Sequence, residues 1–192
     1  MSMIGHNKGP SLEGGASWRK HCWQKARRKL VPVLPIEILR RRVSRAAELG
    51  LDYKSYASIR AASGHDVIAF LFSSNALRVF ASSGRMPEDR LSKLTAVGGA
   101  SQLAAALPPL TPERLLQTLP RDDMPLFASS FAAPDFRHSW GETRAILLQE
   151  IYGQSLPRDG VVVIGDTHQE RGWSEAARLA GYVSADRFFG VN

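Results

Sequence analysis

Four consecutive β-branched residues, Val161 to Ile164, closed by Gly160 and Gly165 and followed by Asp166, restrict the fold more than any other feature. A helix long enough to be stable needs more residues than this. A half-exposed strand would alternate with polar positions, so the run predicts a short strand buried on both faces. A second such run is DVIAFLF, residues 66–72, bounded by Gly64 and by SSN. MPLFASS, residues 124–130, is a weaker third, because Pro125 suits a strand start better than its middle.

Helical patterns separate these runs. MPEDRLSKLTA carries Pro87, Glu88 and Asp89 in a first turn, where proline loses no hydrogen bond and carboxylates suit the helix dipole. Gly98 and Gly99 divide it from a further helical stretch, ASQLAAAL. TPERLLQTL has Thr111 as its cap, and SWGETRAILLQEIYG has Ser139 and Glu142 at capping-box spacing. WSEAARLAG is expected to close on Gly181, with DRFFGV as a last edge strand. Strands alternating with helices build parallel βαβ units, so the expected fold class is α/β: a small three-layer sandwich with a mainly parallel sheet over residues 65–192.

A basic α-helical N-terminal region precedes it. Residues 1–16, rich in Gly, Ser and Pro, are read as a flexible tail and 17–64 as a basic helical region. From Ser17, the residues Trp18, Cys22, Ala26 and Leu30 recur at helical spacing; that places the lone cysteine on an apolar stripe, as a packing residue. A second helix starts at Pro35, runs through Ile36, Leu39, Val43 and Ala46, and ends at Gly50. DYKSYASIRAA, 52–62, is a third. Residues 18–45 hold ten Lys or Arg against Glu37 alone, a local charge of +9 in a chain of net +7. The rest is therefore slightly acidic, and such segregation is the footprint of an anionic partner.

Each strand candidate ends in short polar residues: Ser73, Ser74 and Asn75; Ser129 and Ser130; Asp166 and Thr167. In open parallel sheets ligands bind beyond the strands' carboxyl ends, so these seven are the candidate ligand-binding rim. Asp166, Ser73 and Ser129 are its candidate catalytic groups.

VVVIGDTHQERGWSEAARLAGY resembles the last motif of the haloacid dehalogenase-like superfamily, in which a strand ends in Gly-Asp and an Ala-rich helix ends in Ala-Gly. VIAFLFSSNAL is similar to that family's first strand and loop, and PLFASSF to its second strand. The resemblance covers residues 66–190 and implies a Rossmannoid fold in which Asp166 lies on the metal side and Ser129 or Ser130 contacts phosphate. It also implies two aspartates after the first strand, a nucleophile and an acid/base, where this chain has Ser73 and Asn75. The expected lysine is missing too, since residues 131–164 contain none. Neither Ser nor Asn brings the negative charge that an acyl-phosphate route and Mg²⁺ binding require. The resemblance thus points to a degenerate member without a cofactor, Mg²⁺ entering only if the chain is an enzyme after all.

No serine-hydrolase elbow, phosphate-binding loop, dinucleotide fingerprint or metal-like histidine pairing occurs in the sequence. The longest apolar run is far too short to span a bilayer, and with one cysteine a cytoplasmic protein is expected. The basic arm interleaves Trp23 with Arg19, Lys20, Lys25, Arg27, Arg28 and Lys29, and continues through Arg40, Arg41, Arg42 and Arg45. Cations supply phosphate partners and an indole supplies a stacking surface, so nucleic acid is the expected partner. Ala46, Gly50 and Ile59 also have helix-turn-helix spacing. A non-catalytic binding protein is therefore expected. Its alternatives are a hydrolase acting on a phosphorylated or nucleotide substrate at the rim, and a scaffold docking on an acidic protein.

Overall fold

The computed structural model describes residue 22 and residues 34–82, 85–119 and 126–190. Among them are α1 (Ile36–Glu48), α2 (Tyr53–Ser63), β1 (Ala69–Ser73), α3 (Glu88–Ala96), β2 (Ser101–Ala106), α4 (Pro112–Gln117) and β3 (Ser129–Ala132). They are followed by α5 (Trp140–Gly153), β4 (Val161–Gly165), α6 (His168–Ala176), β5 (Gly181–Ser184) and α7 (Ala185–Phe189). The five strands form one sheet in the order β3-β2-β1-β4-β5, and every pairing is parallel.

Alternation along the central strands explains the layers. Phe70, Phe72, Val162 and Ile164 join a core on one face with Leu49, Tyr56, Ile59, Leu94, Leu115 and Phe188. Ala69, Leu71, Val161 and Val163 face the other way, toward Leu147 and Ile151 of α5 and Trp173 of α6. Helices therefore cover both faces, which is the condition under which an all-parallel sheet is stable and its strands read as unbroken apolar runs. The expected α/β sandwich is observed.

Four local expectations are corrected. ASQLAAAL is not helical: Ser101–Ala106 is β2, because its buried residues fill the place beside β1 and packing overrides alanine's helix propensity. The third strand is Ser129–Ala132 rather than 124–130, so PLFASSF leads into an edge strand, two positions from β1. DRFF belongs to α7, and the last strand is Gly181–Ser184, which pairs with β4. Cys22 is exposed rather than packed.

The described residues from Arg40 onward belong to one compact unit, which takes in the C-terminal part of α1 and all of α2. Arg45 ties α1 down, donating to Asp66 Oδ2 (3.2 Å), Val67 O (3.0 Å) and Gly99 O (2.9 Å) and pairing with Glu48 (2.8 Å). Asp52 caps α2 by accepting from the Ser55 N–H, and Gly64 ends it in the left-handed region at φ 77°. Ala46 and Ile59, read above as helix-turn-helix positions, are core residues of this layer. Among the described residues no helix is long and apolar enough to cross a membrane.

Candidate functional site

The order β3-β2-β1-β4-β5 puts the topological switch between β1 and β4, whose carboxyl ends are Ser73 and Gly165. A crevice between such strands is where sheets of this kind bind ligands. The loops carrying Ser73, Ser74 and Asn75 and carrying Asp166 and Thr167 therefore follow neighbouring strands.

Ser129 and Ser130 are elsewhere. The register sets Ser129 level with Leu103, and Leu103 level with Leu71, two residues before the end of β1. Two strand spacings, about 10 Å, also separate β3 from β1. Ser129 Oγ instead donates to Glu150 Oε2 of α5 (3.4 Å) and Ser130 Oγ to the carbonyl of Pro112 (3.5 Å). The seven rim residues do not converge, because the strand bearing the serines starts later and lies further out than its sequence suggests.

Where the loops do meet, their polar groups are spent on one another. Glu170 of α6 is fully buried and organises them. Its Oε1 accepts from Asn75 Nδ2 (2.9 Å), while its Oε2 accepts from the N–H groups of Asp166 and Thr167. Thr167 is the N-cap of α6, its hydroxyl accepting from the Glu170 N–H, so the pair forms a capping box. Ser73 is buried and its Oγ accepts from the Ala76 N–H (3.1 Å); Ser74 Oγ accepts from the Leu107 N–H (3.1 Å). These serines close the β1 loop and join it to the end of β2.

Asp166 faces cations. The turn after β1 ends at Arg78, whose backbone is left-handed at φ 55°, a conformation uncommon outside glycine. Arg78 Nη1 is 3.4 Å from Asp166 Oδ2 and its Nη2 is 3.9 Å from Asp186 Oδ1. Arg90, on α3, lies over the Phe189 ring at 4.1 Å, and burial lowers its pKa from the ordinary value although the carboxylates of Asp89, Asp186 and Asp166 oppose this.

Past β3, Asp135 is a further buried carboxylate. Arg137 grips it through Nε (2.9 Å), Nη2 (2.6 Å) and its own N–H (2.9 Å), and Arg137, ahead of His138, holds the carboxyl at about 2. Gln169 of α6 donates to the neighbouring carbonyl of Pro134 (3.3 Å), which ties this loop to α6.

Magnesium chemistry of the kind the resemblance implies needs converging anionic oxygens. These residues do not fit it, because a guanidinium stands beside Asp166 and Asn75 presents its amide nitrogen to Glu170. Among the described residues no cluster of three or more His, Cys, Asp or Glu could hold a metal ion.

No family model and no curated protein matches the chain. One solved structure, an uncharacterized protein from Listeria monocytogenes serotype 4b, is similar over 62% of this chain and 78% of that one, at 10% identity and a TM-score of 0.47.

Of the basic arm, Arg19, Lys20, Trp23, Lys25, Arg27, Arg28 and Lys29 lie outside the described residues, as do the tail and all of the first expected helix except Cys22. Arg40 and Arg41 are exposed on α1 and Arg42 is half-buried. Arg45 leaves the set of candidate partner contacts, since its guanidinium is engaged by the body. Glu170 was missed, although Thr167 and Glu170 have capping-box spacing in the sequence.

Proposed function

We propose that this chain is a non-catalytic nucleic-acid-binding protein, in which an α/β body of degenerate dehalogenase-like type carries a basic helical arm. The observation that carries the reading is the placement of three consecutive arginines, Arg40–Arg42, one turn before Arg45 anchors the same helix to the sheet. An anchored helix presents its cations on a fixed surface, which lowers the ordering cost of meeting a phosphate backbone. The +9 charge of residues 18–45 supplies the long-range attraction.

The rim supports the non-catalytic half. The candidate reactive groups there are held by partners within the chain: Ser73 by a backbone N–H, Asn75 by Glu170, Asp166 by Arg78. A general base must reach the proton it removes, and a nucleophile needs such a base beside it.

Purification at low salt tests the reading. The protein is expected to carry nucleic acid that absorbs at 260 nm and leaves in high salt, because released counterions make such binding steeply salt-dependent. Protein that emerges free of nucleic acid at low salt, and neither binds added oligonucleotides nor retards them in a gel, would overturn it. An acidic protein eluting in place of nucleic acid would support the scaffold reading instead.

A further inference from the structure

A second candidate ligand site in the body lies at the β5 edge of the sheet. Beside β5 lies a cavity of about 180 Å³, lined by Ser55, Ser58 and Ile59 of α2, Tyr182 to Ser184 of β5, Arg171 of α6 and Arg187 of α7. Two arginines and three serines thus line one small space, with no carboxylate among its described lining residues.

Both cations are positioned by other contacts. The Tyr182 hydroxyl donates to the Gly165 carbonyl (2.9 Å), which fixes the ring, and the Arg171 guanidinium stacks over that ring at 5.0 Å. Arg187 donates from Nε and Nη2 to Asp52 Oδ2 and Oδ1 (3.1 and 3.3 Å), so Asp52 balances one of the two charges. Ser55 donates to the same carboxylate. Among the described residues no ion pair balances Arg171, and beside it the Ser58 and Ser184 hydroxyls can donate to an anion.

We propose that this cavity binds the phosphate group of a small molecule. An excess positive charge with hydroxyls around it favours a compact oxyanion, and a guanidinium fork matches phosphate geometry. The volume is roughly that of six waters, too small for a whole nucleotide and well below pockets that enclose drug-sized ligands. Orthophosphate or the terminal group of a phosphomonoester shares the required chemistry. The site is independent of the nucleic-acid reading, since none of the basic-arm residues lines it.

Calorimetric titration of the full chain with inorganic phosphate, and separately with glycerol phosphate, tests the site against chloride of matched ionic strength. Specific binding of either probe is expected, and the tighter of the two identifies the source. Arg171→Gln removes the charge that no ion pair balances, and Ser58→Asp puts a carboxylate on the wall at an exposed position. Each is expected to weaken binding by about tenfold or more, with circular dichroism unchanged. If Arg171→Gln does not fold, Ser58→Asp decides. Wild-type protein that binds neither probe beyond the chloride control, or an Arg171→Gln or Ser58→Asp variant that folds and binds as tightly as wild type, would overturn the proposal.

Discussion

Glu170 shows how one side chain can decide what a strand-end crevice is for. A buried carboxylate is costly to desolvate unless its oxygens are hydrogen-bonded, and here they accept from Asn75, Asp166 and Thr167. Glu170→Ala strands three donors around a void and is expected to lower stability by about 2–4 kcal/mol, read from urea midpoints at constant slope. Asp135 gives a pH signature. Its folded pKa, about 2, is below the roughly 3.9 of an unfolded aspartate, so its contribution is complete above the unfolded value and is lost as pH falls from about 5 toward 2. Arg137→Ala should flatten stability over that window, its cost being fully present above about pH 5 and fading toward pH 2; an unchanged acid limb would contradict the pairing. At this scale the sequence was partly legible. Asp166 and Ser73 were found because polar residues after buried strands stand out. Arg78 was not, because it meets Asp166 only through the fold, and the bond from Asn75 to Glu170 likewise forms only when β1 lies beside β4.

Among the elements, the strands that read best were those buried on both faces. β1 and β4 announce themselves as apolar runs, since every side chain on them meets a helix layer. β2 did not, because three alanines and a leucine suit a helix equally well and only its place beside β1 selects the extended form. That mistake moved MPLFASS into the wrong strand position and brought Ser129 and Ser130 to a rim they do not reach. Close packing at the element ends is testable. A Cβ on Gly165 would stand 2.8 Å from Glu170 Cβ and 2.9 Å from Tyr182 Cε2, so Gly165→Ala is expected to cost about 1–3 kcal/mol. On α1, Arg45→Ala should cost about 2–3 kcal/mol, whereas Arg41→Ala, on the exposed face, should stay within about 0.5 kcal/mol. Equal costs for the two would remove the distinction between anchoring and displayed cations.

The whole molecule combines a body whose crevice is closed by its own hydrogen bonds with cations concentrated before residue 46. The charge segregation was fully legible, because counting residues needs no fold. Which cations belong to the body was not, since Arg45 differs from Arg41 only in what lies opposite it. The measurement that tests this most directly is the salt dependence of oligonucleotide binding by fluorescence anisotropy, for wild type and for the triple variant Arg40→Glu, Arg41→Glu, Arg42→Glu. Each lost phosphate contact should reduce the log–log slope by about 0.9 on duplex DNA or about 0.7 on single strands. The account predicts that the variant, with an unchanged urea midpoint, loses binding at moderate salt and keeps a shallower slope. A variant that binds with the wild-type affinity and the wild-type slope would contradict it.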